Sequence, residues 1–83
     1  MNNQWFVIQG GAFPESSGWF LTHTEEFGYR WVRGDNPSEP RLTAFSDEQV
    51  DRIRQEARTW LVRPAQLIEI NPETRTLVRR TPW

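Results

Sequence analysis

The sequence predicts an α+β domain in which one helix packs on one face of an antiparallel sheet of about five strands, in the order β-β-β-α-β-β. Five short runs rich in aromatic and β-branched residues have the composition of strands, and a single segment shows the apolar spacing of a helix. Because strands and helices do not alternate, a parallel sheet with crossover helices is not expected. The 83 residues contain no linker long enough to divide them, so we treat residues 1–83 as a single domain.

The first three strands precede the helix. Residues 5–8 are apolar on both faces, which predicts a central position in the sheet. Residues 10–18, rich in glycine, serine and proline, predict a loop. Residues 19–23 and 29–33 are the second and third strands. Alternation in the third strand places two sets of side chains on opposite faces, with Tyr29, Trp31 and Arg33 on one and Arg30 and Val32 on the other.

One helix is predicted from Ser46 to about Trp60. Ser46 and Gln49 have the spacing of a capping box, in which each side chain bonds the backbone N–H of the other residue. Pro64 marks the end of the segment, because the residue before a proline avoids the helical region. One apolar stripe predicts the face that packs on the sheet, formed by Val50, Ile53, Ala57 and Trp60.

The last two strands are predicted over residues 67–70 and 75–79. Asn71 and Pro72 follow the first of them and favour a type I turn over residues 71–74. These segments therefore predict a hairpin after the helix.

Composition narrows the classes of function. The chain has no cysteine, and its ten arginines, without any lysine, stand against 11 acidic residues, for a net charge of −1. A protein that binds nucleic acid through phosphates usually carries a basic excess, so this balance argues against a nucleic acid as the partner. No apolar run approaches the ~20 residues of a membrane span, and residues 1–5 lack the features of a signal peptide. We expect a cytoplasmic protein with no membrane partner.

The residues needed for catalysis or for holding a metal or cofactor are scarce. His23 is the only histidine, and no thiolate or spaced carboxylate cluster accompanies it. The adjacent carboxylates of Glu25 and Glu26 point apart on an extended chain. A nucleophilic serine would have only His23 as its base. We expect no catalytic residues, no cofactor and no metal.

Arginine and aromatic residues together indicate a binding surface. Both residue types are enriched where proteins contact one another, because they bury a large area and keep a polar group. The strands place several of them as candidate partner-binding residues: Phe20, Arg30, Trp31, Arg33, Arg75, Arg79 and Trp83. Such a surface suits an acidic patch on a larger protein, a phosphate-bearing ligand or stacked single-stranded nucleic acid. Alternatively, the arginines lie over aromatic edges and pair with Glu56, Glu69 and Glu73.

The segment from Trp60 to Leu67 (WLVRPAQL) resembles the W-x-x-R-P-x-S-L stretch of MbtH-like proteins. These small β-β-β-α proteins are partners of nonribosomal peptide synthetase adenylation domains, and the order of predicted elements up to Leu67 is similar. The chain differs in having Gln66 in place of serine, in lacking the N-x-E-x-Q-x-S-x-W-P signature and in adding a hairpin. The resemblance implies an accessory protein of an adenylation domain.

In size and build the chain is similar to small arginine-rich proteins of phages and prophages, including anti-CRISPR and other anti-defence inhibitors. This likeness implies a non-enzymatic protein that blocks a host complex by binding it, and it assigns no residues. We therefore expect a protein-binding inhibitor, with a nucleic-acid or phosphate-ligand binder and an adenylation-domain accessory as the alternatives.

Overall fold

The computed structural model describes residues 4–11, 18–56 and 64–83, and it confirms an antiparallel α+β fold. Within these ranges one helix accompanies a six-stranded sheet. The elements are β1 Trp5–Gly10, β2 Trp19–Thr24, β3 Gly28–Arg33, β4 Phe45–Ser46, α1 Asp47–Glu56, β5 Pro64–Ile70 and β6 Leu77–Pro82. The strand order is β3-β2-β1-β5-β6, and β4 pairs additionally with β1.

β1 is the central strand, as its apolar sequence predicts. Val7 and Ile8 are fully buried although they point to opposite faces of the sheet. β5 pairs with the whole length of β1, from Trp5 to Gly10. The burial of consecutive residues requires that both faces of the sheet be covered.

Two layers of side chains cover the two faces. On the helix face, sheet residues pack against Val50 and Ile53 of α1. This layer consists of Ile8, Leu21, Phe45, Val50, Ile53 and Leu67, with Phe6, Tyr29, Trp31 and Trp83 at its margin. The loop face carries the residues that pack against the segment after β3: Val7, Phe20, Leu42, Ile68 and Ile70, with Trp5, Val32 and Ala44 at its margin. Each fully buried aliphatic side chain contributes about 1.5–3 kcal/mol, so the loop face contributes to stability on a scale similar to the helix face.

β4 is an unpredicted strand that carries the chain from one face to the other. The side of β1 opposite β5 pairs with β2 at Gln9 and with β4 at Trp5 and Phe6. Leu42 packs on the loop face and Phe45 on the helix face. The chain therefore passes between β1 and β2 before it enters α1.

α1 begins with the predicted capping box. The Ser46 N–H donates to Gln49 Oε1 at 2.9 Å, and the Gln49 N–H donates to Ser46 Oγ at 3.4 Å. The helix runs from Asp47 to Glu56 and buries Val50 and Ile53. Two further members of the predicted apolar stripe, Ala57 and Trp60, lie outside the described residues.

The connection between β5 and β6 is longer than predicted. Asn71 Oδ1 accepts the Glu73 N–H at 2.9 Å, and Asn71 O accepts the Arg75 N–H at 2.6 Å. This wider turn places Arg75 at a φ of 60°, in the left-handed region. β6 consequently begins at Leu77 and ends at Pro82, so the predicted strand over residues 75–79 is wrong at both ends. Asparagine at the first position of the turn and a left-handed residue after it are features of hairpin loops built around a type I turn.

No helix in the described part of the chain has the length and apolar character that spanning a membrane requires.

Ser46→Ala should lower the free energy of unfolding by about 0.5–2 kcal/mol, because one N–H at the start of α1 loses its acceptor. Chemical denaturation followed by tryptophan fluorescence measures the change. Gln49→Glu is the matched control, since glutamate also closes a capping box, and it should leave the midpoint nearly unchanged. Equal midpoints for Ser46→Ala and the wild type would show that the cap does not stabilise α1.

Candidate functional site

The predicted contact residues do not form one continuous surface. Arg30, Trp31 and Arg33 lie on β3, whereas Arg79 lies on β6 and Trp83 directly follows it. β3 and β6 are at opposite ends of the strand order. With about 4.8 Å between neighbouring strands, the two ends of this order are about 19 Å apart. Each end must therefore be considered as a separate candidate site.

Phe20 is a core residue rather than an exposed contact. Only 2% of it is exposed, and it packs on the loop face. Gly34 lies against its ring, where an added Cβ would stand 3.0 Å from the Phe20 Cδ2 atom. Because a partner cannot reach a buried ring, we remove Phe20 from the candidate contacts. The sequence pattern did not show that a loop covers this second face.

Arg75 is committed to holding the fold together. Its Nη2 atom donates to the carbonyl oxygens of Glu39 and Leu42, both at 2.9 Å. Its Nε atom is buried and has no hydrogen-bond partner among the described residues. The guanidinium thus ties the turn after β5 to residues 34–44, the segment between β3 and β4 that covers the loop face, which we call the covering segment. We therefore remove Arg75 from the candidate contacts as well.

Glu39 organises the same covering segment. Its Oε1 accepts the Asp35 N–H at 2.7 Å, and its Oε2 accepts Arg41 Nε at 2.7 Å. The Asp35 N–H, and then Arg41, hold the pKa of Glu39 below its usual value of 4.5. A carboxyl with a lowered pKa stabilises the fold above its unfolded pKa, and the contribution disappears as the pH falls through the folded value. The loop cover should therefore weaken below about pH 4.5.

The turn before β3 presents an aromatic ring and an arginine together. Phe27 is 63% exposed, and the Arg30 guanidinium carbon lies 5.5 Å from the centroid of its ring. No carboxylate of the described residues forms an ion pair with Arg30. We call this pair the Phe27–Arg30 tip. Phe27 was missed because the sequence shows only a turn residue, although its place before a glycine on a hairpin was a usable signal.

The hairpin holds the tip in place. The Phe27 N–H donates to Thr24 Oγ1 at 3.1 Å, and Gly28 takes a φ of 70°, a conformation that glycine adopts without strain. Thr22 Oγ1 donates to the Arg30 carbonyl oxygen at 3.1 Å. Side chains on such an ordered turn lose less freedom when they bind a partner.

The other end of the sheet carries a second group of exposed side chains. Leu77 and Val78 are 44% and 55% exposed. Arg79 Nε pairs with Glu69 Oε1 at 3.0 Å. Arg80 Nη1 donates instead to two neutral amide oxygens, Gln9 Oε1 at 3.1 Å and Gln66 Oε1 at 2.9 Å.

Two of the predicted tryptophans are half-buried at the margin of the helix face. Trp31 packs against this core, and the Arg33 side chain next to it is exposed. Trp83 also packs there, and the Arg54 guanidinium carbon lies 5.1 Å from the centroid of its ring. Both tryptophans therefore combine a structural role with partial access to a partner.

No metal-binding cluster of three or more suitable side chains exists among residues 4–11, 18–56 and 64–83. His23 is exposed, and its ring centroid lies 4.7 Å from that of Tyr29. Its described side-chain contact is thus an aromatic one.

Arg75→Met should lower the free energy of unfolding by about 2 kcal/mol or more, because two hydrogen bonds from a charged donor are lost. Methionine has a similar length and bears the same left-handed φ, so the comparison isolates the guanidinium. Arg79→Met is the matched control, and it should cost only about 0–1 kcal/mol because its ion pair is exposed. Urea denaturation of both variants measures the difference, and equal losses would contradict the structural role of Arg75.

Comparison of the chain with protein-family models, with curated proteins and with solved structures finds no match. The described residues offer two exposed groups, the Phe27–Arg30 tip and the outer end of the sheet at β6.

Proposed function

We propose that the protein is a non-enzymatic protein-binding module that inhibits a larger host complex, of the kind carried by phages and other mobile elements. The observation that carries this proposal is the Phe27–Arg30 tip, in which an exposed aromatic ring lies beside an arginine that pairs with no carboxylate of the described residues. Aromatic and arginine side chains dominate the binding energy of protein interfaces when they become desolvated. The ordered hairpin beneath the tip lowers the entropy lost on binding.

The inhibitor role is supported by the small size of the chain and by which of its side chains are buried and which are exposed. The chain has 83 residues and no cysteine, and most of the large apolar side chains in its described part are engaged in the two core layers. The exposed aromatic, aliphatic and arginine side chains of the described residues suit contact with a partner rather than catalysis. The likeness in build to anti-CRISPR and other anti-defence proteins supports the same class.

A single-stranded nucleic-acid binder is the second candidate, and the same tip favours it. Bases stack on exposed aromatic rings, and arginines neutralise the phosphates beside them. The net charge of −1 opposes this reading, because no general electrostatic attraction to a polyanion is available. The adenylation-domain accessory rests on the segment from Trp60 to Leu67, of which residues 60–63 lie outside the described ranges.

Capture of partners from a bacterial lysate tests the proposal. The wild-type protein should retain a discrete protein complex that survives nuclease treatment. The Phe27→Ala, Arg30→Ala double variant should retain at least tenfold less, because both anchors at the tip are removed. Arg52→Ala is the control, since Arg52 is an exposed arginine on α1, a different element from the β2–β3 hairpin that carries the tip.

Salt dependence separates the two candidates. Protein binding centred on desolvated anchors should weaken only moderately with salt. Binding to nucleic acid should lose about one log unit of affinity per log unit of salt for each phosphate contacted. A catch that consists of nucleic acid and disappears on nuclease treatment would contradict the proposal, and so would equal capture by the tip variant.

A further inference from the structure

β6 ends the sheet on the side opposite the Phe27–Arg30 tip. It pairs with β5 on one side, and no strand within residues 4–11, 18–56 and 64–83 pairs with the other. We call this second side the β6 edge. The outward N–H and C=O groups of an edge strand form a template on which another extended segment can pair.

The side chains along the β6 edge change in character along the strand. Leu77 and Val78 come first, and they are two of the three large hydrophobic side chains exposed in the described ranges. Arg79 and Arg80 follow. At the end of the strand, Pro82 has no N–H to donate, so an added strand would pair mainly with the residues before it.

The two arginines project to opposite faces of the sheet. Arg79 lies opposite Glu69, and Arg80 lies opposite Ile68, a loop-face residue. Glu69 neutralises Arg79, although the Arg79 side chain stays 63% exposed. The described partners of Arg80 are neutral amide oxygens, so the β6 edge keeps a net positive charge.

This charge decides which kind of strand fits the edge. Antiparallel pairing with a second copy of the chain, centred on β6, would set Arg79 of each copy opposite Arg80 of the other. Like charges directly opposite each other destabilise a pair of strands. A segment that carries carboxylates at those two positions would instead offer each guanidinium, one on each face, a charged acceptor in place of the side-chain oxygens that it bonds on β1 and β5.

We propose that the β6 edge binds an extended acidic segment of the partner protein as an additional antiparallel strand. Read along the incoming strand, two acidic residues stand opposite Arg80 and Arg79, and two apolar residues follow beside Leu77 and Val78, where β6 has a bulge at Val78 in its pairing with β5. Main-chain hydrogen bonds supply the pairing, and the two charges select the sequence. This inference rests on the proposed function, because it assigns the segment to the protein partner, but it uses a different surface from the tip.

A synthetic peptide tests the β6 edge without a lysate. The probe is a blocked peptide of sequence TSEEVVTS, with its binding followed by fluorescence anisotropy and by amide chemical shifts of the full-length protein. We expect saturable binding, with the largest shifts over residues 77–81. The peptide TSRRVVTS reverses the charge, and TSEEPVTS keeps both carboxylates while its proline interrupts strand pairing. Each should bind at least tenfold more weakly.

Protein variants separate this inference from the proposed function. Arg80→Glu should weaken TSEEVVTS at least tenfold, whereas Arg52→Glu, which changes the net charge by the same amount, should not. The Phe27→Ala, Arg30→Ala double variant should bind the peptide like the wild type even where it fails to capture a partner. Circular dichroism of each variant verifies that the fold is retained, and if Arg80→Glu does not fold, Arg80→Gln replaces it with the same expectation of direction.

Several results would overturn the inference. Equal binding of TSEEVVTS and TSEEPVTS would show that charge alone acts, without an added strand. Shifts centred on β3, or no binding at millimolar peptide, would exclude the β6 edge. A dimer of the wild-type protein in sedimentation experiments that tightens with Arg80→Glu, which would place opposite charges across the paired β6 strands, would show that the edge binds a second copy instead.

Discussion

The division of one side of β1 between two strands is the constraint on which the rest of the structure depends. β2 takes the end of this side at Gln9, and β4 takes the end at Trp5 and Phe6. Because β2 leaves one end of β1 unpaired, the chain can cross there from the loop face to the helix face. The segment after β3 therefore covers the loop face and leads directly into α1, which covers the helix face. Arg75, in the turn after β5, holds the covering segment by hydrogen bonds to two carbonyl groups of that segment.

This arrangement leaves exposed side chains at both ends of the sheet. The interior strands have side chains buried on both faces, and the covering segment engages Glu39, Arg41 and Arg75 internally. Exposed aromatic and aliphatic side chains consequently remain at the turn before β3 and at the start of β6. In this small domain the helix, the loop and the central strands provide stability, which leaves the outermost strands free for the contacts that we propose.

Much of the fold follows from short-range signals in the sequence. The capping box at Ser46 is local, and unbroken apolar character marked β1 as central; both interpretations are confirmed. Contacts between distant residues determine what the sequence left open. Phe20 was assigned to a surface because alternation in a strand defines two faces but not what covers each. Arg75 was assigned to a strand because the carbonyls it binds are more than 30 residues away.

The arginines show why a count of charge says little about function here. Arg41 and Arg75 bind backbone carbonyls, and Arg80 binds two side-chain amides. Arg79 pairs with a carboxylate, and Arg30 lies by an aromatic ring. The planar group with several donors suits each of these environments. Among the described residues, the exposed side chains of Arg30 and Arg80 have no ion pair with a carboxylate. Because Arg30 and Arg80 lie at opposite ends of the sheet, a partner that engages both of the proposed surfaces has to extend about 19 Å across the strand order.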